Sequence, residues 1–177
     1  MQMHKNNVGV WEIDDARIMF RNFTGVGDVY NREGDRNFTL VIPNSEMAEQ
    51  LINDKGKYGD GYNVRIKAPR DEGDNPFISL KVKVKFSEYG PNIFLVSGHS
   101  TRRITEDTVR MLDAINIQSV NLDIRGYDWM RPNGEHGRTA YLNAMKVYQN
   151  TDRFSAELAE QEYPEDDSPI DDSDAPF

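Results

Sequence analysis

The sequence predicts a mainly β protein with two short helices: an OB-like antiparallel barrel with insertions, followed by a disordered acidic tail. Three observations predict it. Six or seven segments alternate apolar and polar residues with the period of two that marks a strand with one buried face. Loops or single helices separate these segments, with no regular βαβ alternation, so the sheet should be antiparallel and closed on itself. After Arg153 the chain has no further Lys or Arg, while nine acids and three prolines follow. Such a segment cannot bury enough apolar surface to fold. The expected division is therefore a domain over 1–152 and a tail over 153–177.

The first strand is read from about Ala16 to Phe23, with Ile18 and Phe20 on one face and Arg17, Met19 and Arg21 on the other. GVGDVYNREGDR is a glycine-rich loop. NFTLVIP is a strand stopped by Pro43. SEMAEQLIND is a helix capped by Ser45 or Asn44, with Met47, Leu51 and Ile52 on its apolar side. YNVRIKAP alternates again, Val64 and Ile66 against Arg65 and Lys67. FISLKVKVKF does so most regularly: Leu80, Val82, Val84 and Phe86 point one way, Lys81, Lys83 and Lys85 the other. NIFLVSG is a further strand. TEDTVRMLDAIN is a short helix capped by Thr105, with Val109, Leu112 and Ile115 packing inward. SVNLDIRGYDWM and RTAYLNAMKVYQ form a hairpin around the tight-turn pair Asn133-Gly134. A brief helix around FSAELAEQ is the most structure expected of the tail.

The formal charge of -9 comes from 30 acids and 21 bases. All of the excess lies after Arg153, so the body through Arg153 is formally neutral and free to concentrate bases on one face. The chain has no cysteine, which excludes disulfides and thiolate chemistry and fits a reducing, cytoplasmic home. The N-terminus lacks the apolar core of a signal peptide. No window approaches the ~20 apolar residues of a membrane helix, so no membrane partner is expected.

Three constellations carry functional expectations. Lys81, Lys83 and Lys85 span roughly 13 Å of one strand face, enough to track phosphates. Lysines also guard edge strands against aggregation, and that bland reading competes. Arg65 and Lys67 tilt the balance, because pairing of their strand with the lysine strand would gather five bases on one face. Second, Arg125, Tyr127 and Trp129 share the polar face of NLDIRGYDWM, where rings beside a guanidinium can stack unpaired bases. Covering of the rings by other protein segments is the alternative, weightier for Trp129. Third, Tyr30, Arg32 and Arg36 lie on or beside the glycine-rich loop, which in an OB fold helps close over the ligand. A salt-bridged turn using Glu33 and Asp35 is its structural alternative. Arg17 and Arg21 join the expected nucleic-acid contacts from the first strand.

No catalytic residue, metal site or cofactor is expected. His4, His99 and His136 are far apart in sequence, and neither a phosphate-binding GxxxxGK[ST] loop nor a GxSxG elbow is present.

The segment DDSPIDDSDAPF resembles the acidic C-terminal tip of bacterial single-stranded DNA-binding proteins. FRNFTG, YNREGDRNF and RPNGEHGRTAYL are similar to segments of a family of phage-encoded proteins that bind single-stranded DNA through an OB-type fold. The resemblance implies a non-enzymatic domain that coats single strands during phage DNA replication or recombination in the host cytoplasm. It also implies a tail that recruits replication or recombination proteins. Asp171, Asp172 and Asp174 would meet a basic pocket on the partner, and Pro176 and Phe177 a hydrophobic slot. A homo-oligomer is compatible with this reading. Two alternatives stand beside it: an RNA-binding OB protein, and a phage protein that binds a host enzyme by acidic mimicry of nucleic acid.

Overall fold

The computed structural model describes residues 1–152 and Phe154. The helix read around FSAELAEQ and the tail residues Asp171, Asp172, Asp174, Pro176 and Phe177 lie outside the described residues, Phe154 excepted. The elements run β1 (Gln2–Lys5), β2 (Trp11–Asn22), β3 (Arg36–Ile42), α1 (Ser45–Asn53), β4 (Arg65–Lys67), β5 (Phe77–Val84), β6 (Asn92–Ser97) and β7 (Ser100–Ile104). A 3-10 helix (Val109–Asp113), β8 (Ile117–Met130) and β9 (His136–Gln149) follow.

Five strands close a ring. β3 pairs antiparallel with β2 and β5, β2 with β8, and β8 with β9. β9 then meets β5 in parallel, Val82 opposite Ala140 and Lys83 opposite Tyr141. Three meandering strands followed by a returning pair, the last parallel to the third, is an OB-like barrel. The alternation drives closure. Phe38, Leu40, Val82, Leu122 and Ile124 are each at most 2% exposed and fill the interior from three strands, each side chain contributing about 1.5–3 kcal/mol by burial. Phe23 stacks on Phe38 at 5.4 Å and seals one end. β6 and β7 extend the sheet beyond β9.

The helix α1 begins as its cap dictates. The Asn44 side chain accepts a hydrogen bond from the Met47 amide at 2.9 Å, so Asn44 rather than Ser45 is the cap. Ala48 and Leu51 are buried and Met47 packs partly against the core, while Ile52 stays half-exposed. The chain then doubles back beneath the helix at Gly61. A Cβ there would sit 1.7 Å from the Ile52 carbonyl oxygen, so only glycine permits the return.

Several expectations are corrected. The edge strands β1 and β7 were not anticipated, because QMHK and STRRI lack apolar alternation and form by pairing alone. β2 starts five residues before Ala16. The second helix is a 3-10 turn, and Thr105 does not cap it; its carbonyl receives the Val109 amide instead. Ile66 is 58% exposed rather than buried, since β4 is only three residues long at the rim of the sheet. Phe20 does not share a buried face with Ile18. The β2–β3 register shifts between Met19 and Asn22, and this bulge turns Phe20 outward.

Candidate nucleic-acid interface

β5 organises the outer face. Its inward residues Ile78, Leu80, Val82 and Val84 are buried, which forces Lys81 and Lys83 outward by the pleat, with Lys85 just past the strand's end. Lys81 and Lys83 each have a polar or aromatic neighbour across the ladder. Thr39 of β3 stands opposite Lys81, and Asn37 opposite Lys83. On the other side Tyr141 of β9 stands opposite Lys83, and Arg125 of β8 opposite Tyr141. One continuous row therefore runs Asn37, Lys83, Tyr141, Arg125. The Arg125 guanidinium lies 5.6 Å from the Tyr141 ring centre, and Tyr127 meets that ring edge-on at 6.0 Å.

Two grooves flank the lysines, and both are lined by Lys81 and Lys83. The first, about 470 Å³, adds Arg65, Trp129, His136, Arg138 and Thr139. The second, about 540 Å³, adds Tyr30, Arg32, Asn37, Lys85, Phe86 and Tyr141. Both volumes fall within the range of small-ligand sites, about 300–1,000 Å³. Among the described residues the lysines of these grooves make no ion pair, although Asp60 lines the first groove and Asp35 and Glu106 the second. Among the described residues the ion pairs use Lys5, Arg36, Arg131, Arg138, His4 and His136, and none uses Lys81, Lys83, Lys85, Arg65, Lys67 or Arg125.

The structure brings most of the expected residues together. β4 pairs with β5, setting Arg65 opposite Ser79 and Lys67 opposite Phe77 on the lysine side of the sheet. Arg17 sits in that same cross-strand row, through Val41 and Ser79. Tyr30 is 94% exposed, yet its loop is stapled. Asp28 accepts from the Tyr30 and Asn31 amides, the Asn31 amide group spans Val26, Arg32 and Asp35 carbonyls, and Asn37 donates to Asn31. Asn and Asp side chains, not Glu33 and Asp35 ion pairs, hold this turn. Arg32 is exposed on it.

Two arginines are committed elsewhere. Arg21 Nη1 donates to the Leu112 and Ile115 carbonyls, both at 2.7 Å, tying β2 to the 3-10 helix. Arg36 donates Nε to the Phe23 carbonyl, pairs with Glu106 and covers the Phe86 ring. Trp129 is half-buried. Its Nε1 donates to Thr139 Oγ1, Arg131 lies over one face, and Gly137 lets the ring rest on the β9 backbone, since a Cβ there would be 2.6 Å from it.

Sequence reasoning missed the support beneath the first groove. The Arg138 side chain is only 10% exposed, bonds Asp128 at 3.2 Å and lies 3.7 Å from Asp54. Its guanidinium covers the Tyr62 ring at 4.8 Å. Burial opposes the Arg138 charge, but Tyr62, Asp128 and Asp54 hold its ionisation above the ordinary arginine value. Burial likewise raises the Tyr62 hydroxyl. For Asp54 burial is outweighed by hydrogen bonds from Lys5 and Trp11 and by the Arg138 charge, so its carboxyl titrates below the usual range. At the rim His136 Nδ1 bonds Asp60, and the Tyr58 ring tilts against the imidazole. The one signal in the sequence was glycine: Gly56 and Gly126 leave space that Asp128 and Arg138 occupy.

Comparison with known proteins completes the description of the site. A family model described as "Putative phage ssDNA-binding domain" matches residues 1–176. No curated protein matches. The single-stranded DNA-binding protein from bacteriophage Enc34 superposes with a TM-score of 0.54 and 12% identity, over 99% of this chain and 99% of that chain. Its C-terminal truncation gives 0.54 and 12%, over 86% and 94%. The same phage protein in complex with ssDNA gives 0.51 and 14%, over 87% and 96%. At these identities the likeness is one of fold.

Proposed function

The chain belongs to the phage ssDNA-binding domain family, and from that premise we propose that it binds single-stranded DNA across the outer face of its barrel with little sequence preference. The observation that carries this reading is the position of β5. Its lysines, in no ion pair among the described residues, stand between two grooves, one lined by Trp129 and the other by Tyr30 and Tyr141, with Tyr127 edge-on to Tyr141. Lysines supply sequence-independent phosphate contacts, and rings stack on any base. The strand crosses β9, β5 and β3, its phosphates following Lys81 and Lys83 while bases turn toward the rings. Arg65, Lys67, Arg17 and Arg32 extend the positive track at its margins. Arg21 and Arg36 shape the scaffold. Support also comes from the structural relative whose complex with ssDNA has been solved. The sole α-helix among the described residues, α1, packs its apolar side on the core and is not a reading helix for a duplex groove.

In this reading the protein coats and protects single strands during phage DNA replication or recombination, in the host cytoplasm, and performs no chemistry itself. The acidic tail recruits replication or recombination proteins through Asp171, Asp172, Asp174, Pro176 and Phe177. Its run of acids closing on Pro and Phe supports that role.

A competition titration tests the binding function. Oligo-dT should bind more tightly than duplex DNA of equal length, and mixed-sequence single strands about as well as oligo-dT. Equal or tighter duplex binding contradicts the proposal, and tighter binding of an RNA oligomer reassigns the groove to RNA.

A further inference from the structure

Phe20 is strained in its backbone and bare in its side chain. Its φ is 50°, in the left-handed region where a bulky residue is an outlier. Its ring is 70% exposed. The other non-glycine residue with positive φ among the described residues is Asp15, at 52°. Aspartate tolerates this region, and the Asp15 amide is satisfied by the Asn121 side chain at 2.9 Å. A phenyl ring offers its backbone no such compensation.

The bulge that strains Phe20 also aims it. Met19 stands opposite Thr39 and Asn22 opposite Asn37, so Phe20 and Arg21 together face the single residue Phe38. Regular alternation would send Phe20 inward beside Ile18. The extra residue sends it out instead, and the 3-10 helix clamps the result. Arg21 holds the Leu112 and Ile115 carbonyls, while the Asp113 carboxylate accepts from the Phe23 and Thr24 amides and the Thr24 hydroxyl. Strain fixed by so many bonds at an exposed aromatic marks a functional position. Phe20 lines a concavity with Tyr30, Asn37 and Lys81, all three of which also line the second groove. The mixture of the Phe20, Val26 and Tyr30 side chains with the asparagines Asn22, Asn31 and Asn37 suits an unpaired base, and the concavity continues the proposed DNA track beyond β3.

We propose that Phe20, presented by the β2 bulge, is a base-stacking residue that terminates the single-strand track, with Tyr30 as its neighbour and Arg21 as its positioning residue. The inference rests on the single-strand reading of the groove.

The test measures oligo-dT affinity, thermal midpoint and solution mass for the full chain and for Phe20→Ala, Phe20→Gly and Phe20→Trp. Phe20→Gly should raise the midpoint, because glycine accepts the positive φ without strain. The same variant should lose about 5- to 150-fold in affinity, the range that one base–aromatic stack spans. Phe20→Ala should lose similar affinity, and Phe20→Trp should restore it. Wild-type affinity in both small-residue variants overturns the assignment, and a lower solution mass in them would make Phe20 a contact between copies instead. Lost affinity with a lowered midpoint in Phe20→Gly also overturns it, by making the residue structural. Failure of the unmodified protein to bind oligo-dT overturns the groove reading itself, and this one with it.

Discussion

Arg138 sets its guanidinium between a ring and two carboxylates from separate segments, Tyr62, Asp54 and Asp128. Breaking a buried pair leaves the opposite charge without compensation and costs about 3 kcal/mol at the low end of the measured range. Arg138→Met should therefore lower the thermal midpoint by roughly 6–12 °C for a chain of this size. Asp54 has the opposite linkage to pH from Asp123. With its carboxyl held low, Asp54 adds stability at neutral pH that is lost as pH falls below the ordinary Asp value of about 3.9. Asp123 is raised, by burial first and then by Glu12 and Asp14 nearby. The folded state therefore holds its proton more readily than the unfolded chain, and this group gains stability as pH falls. Asp123→Asn should raise the midpoint at pH 7, with the gain shrinking as pH falls and the wild-type carboxyl protonates. A constant difference across pH would show that the effect is not electrostatic. Residues were legible where local alternation governs, as for Tyr127 and Arg125. Arg138 was not, because two of its partners, Asp54 and Tyr62, come from the stretch after α1, far away in the chain. The bonds of Arg21 to the 3-10 helix were not legible, because a period of two assumes no bulge.

At the scale of elements, the alternation of β5 was readable, although the strand ends at Val84 rather than running on to Phe86. Its alternating lysines and aliphatics admit only one pleated arrangement with a buried side. The hairpin β8–β9 was equally plain, since Asn133-Gly134 marks its turn. The short edge strands were hidden, as their sequences carry little apolar signal and their stability comes from the neighbour. β5 also carries the electrostatic prediction. Replacing Lys81, Lys83 and Lys85 together with Gln should flatten the salt dependence of oligo-dT binding. Each lost phosphate contact should reduce the slope of log K against log salt by about 0.7. The thermal midpoint should barely move, since these ammonium groups make no ion pair among the described residues and surface substitutions of this kind usually stay within about 0.5 kcal/mol. An unchanged slope would reduce the stripe to a solvated face.

Across the whole molecule, the sequence conveyed that a barrel forms but not how it closes. The parallel meeting of β5 with β9 joins residues far apart in the chain, and it is this contact that sets Tyr141 beside Lys83. Charge is the other property of the whole chain, a neutral body through Arg153 joined to nine acids. Removing residues 164–177 takes away six of them. Affinity for oligo-dT should rise, most at low salt, if those acids compete with DNA for the lysines. Equal affinity at all salt concentrations would confine the tail to partner docking. The central claim, that single strands lie across the β9–β5–β3 face, is tested most directly by ultraviolet crosslinking of oligo-dT to the full-length protein, with the attached peptides identified by mass spectrometry. Crosslinks should fall on Tyr127, Trp129 and Tyr141 at one end and on Tyr30 and Phe20 at the other. Crosslinks confined to β1, β6 or β7, with those five rings unmodified, would contradict it.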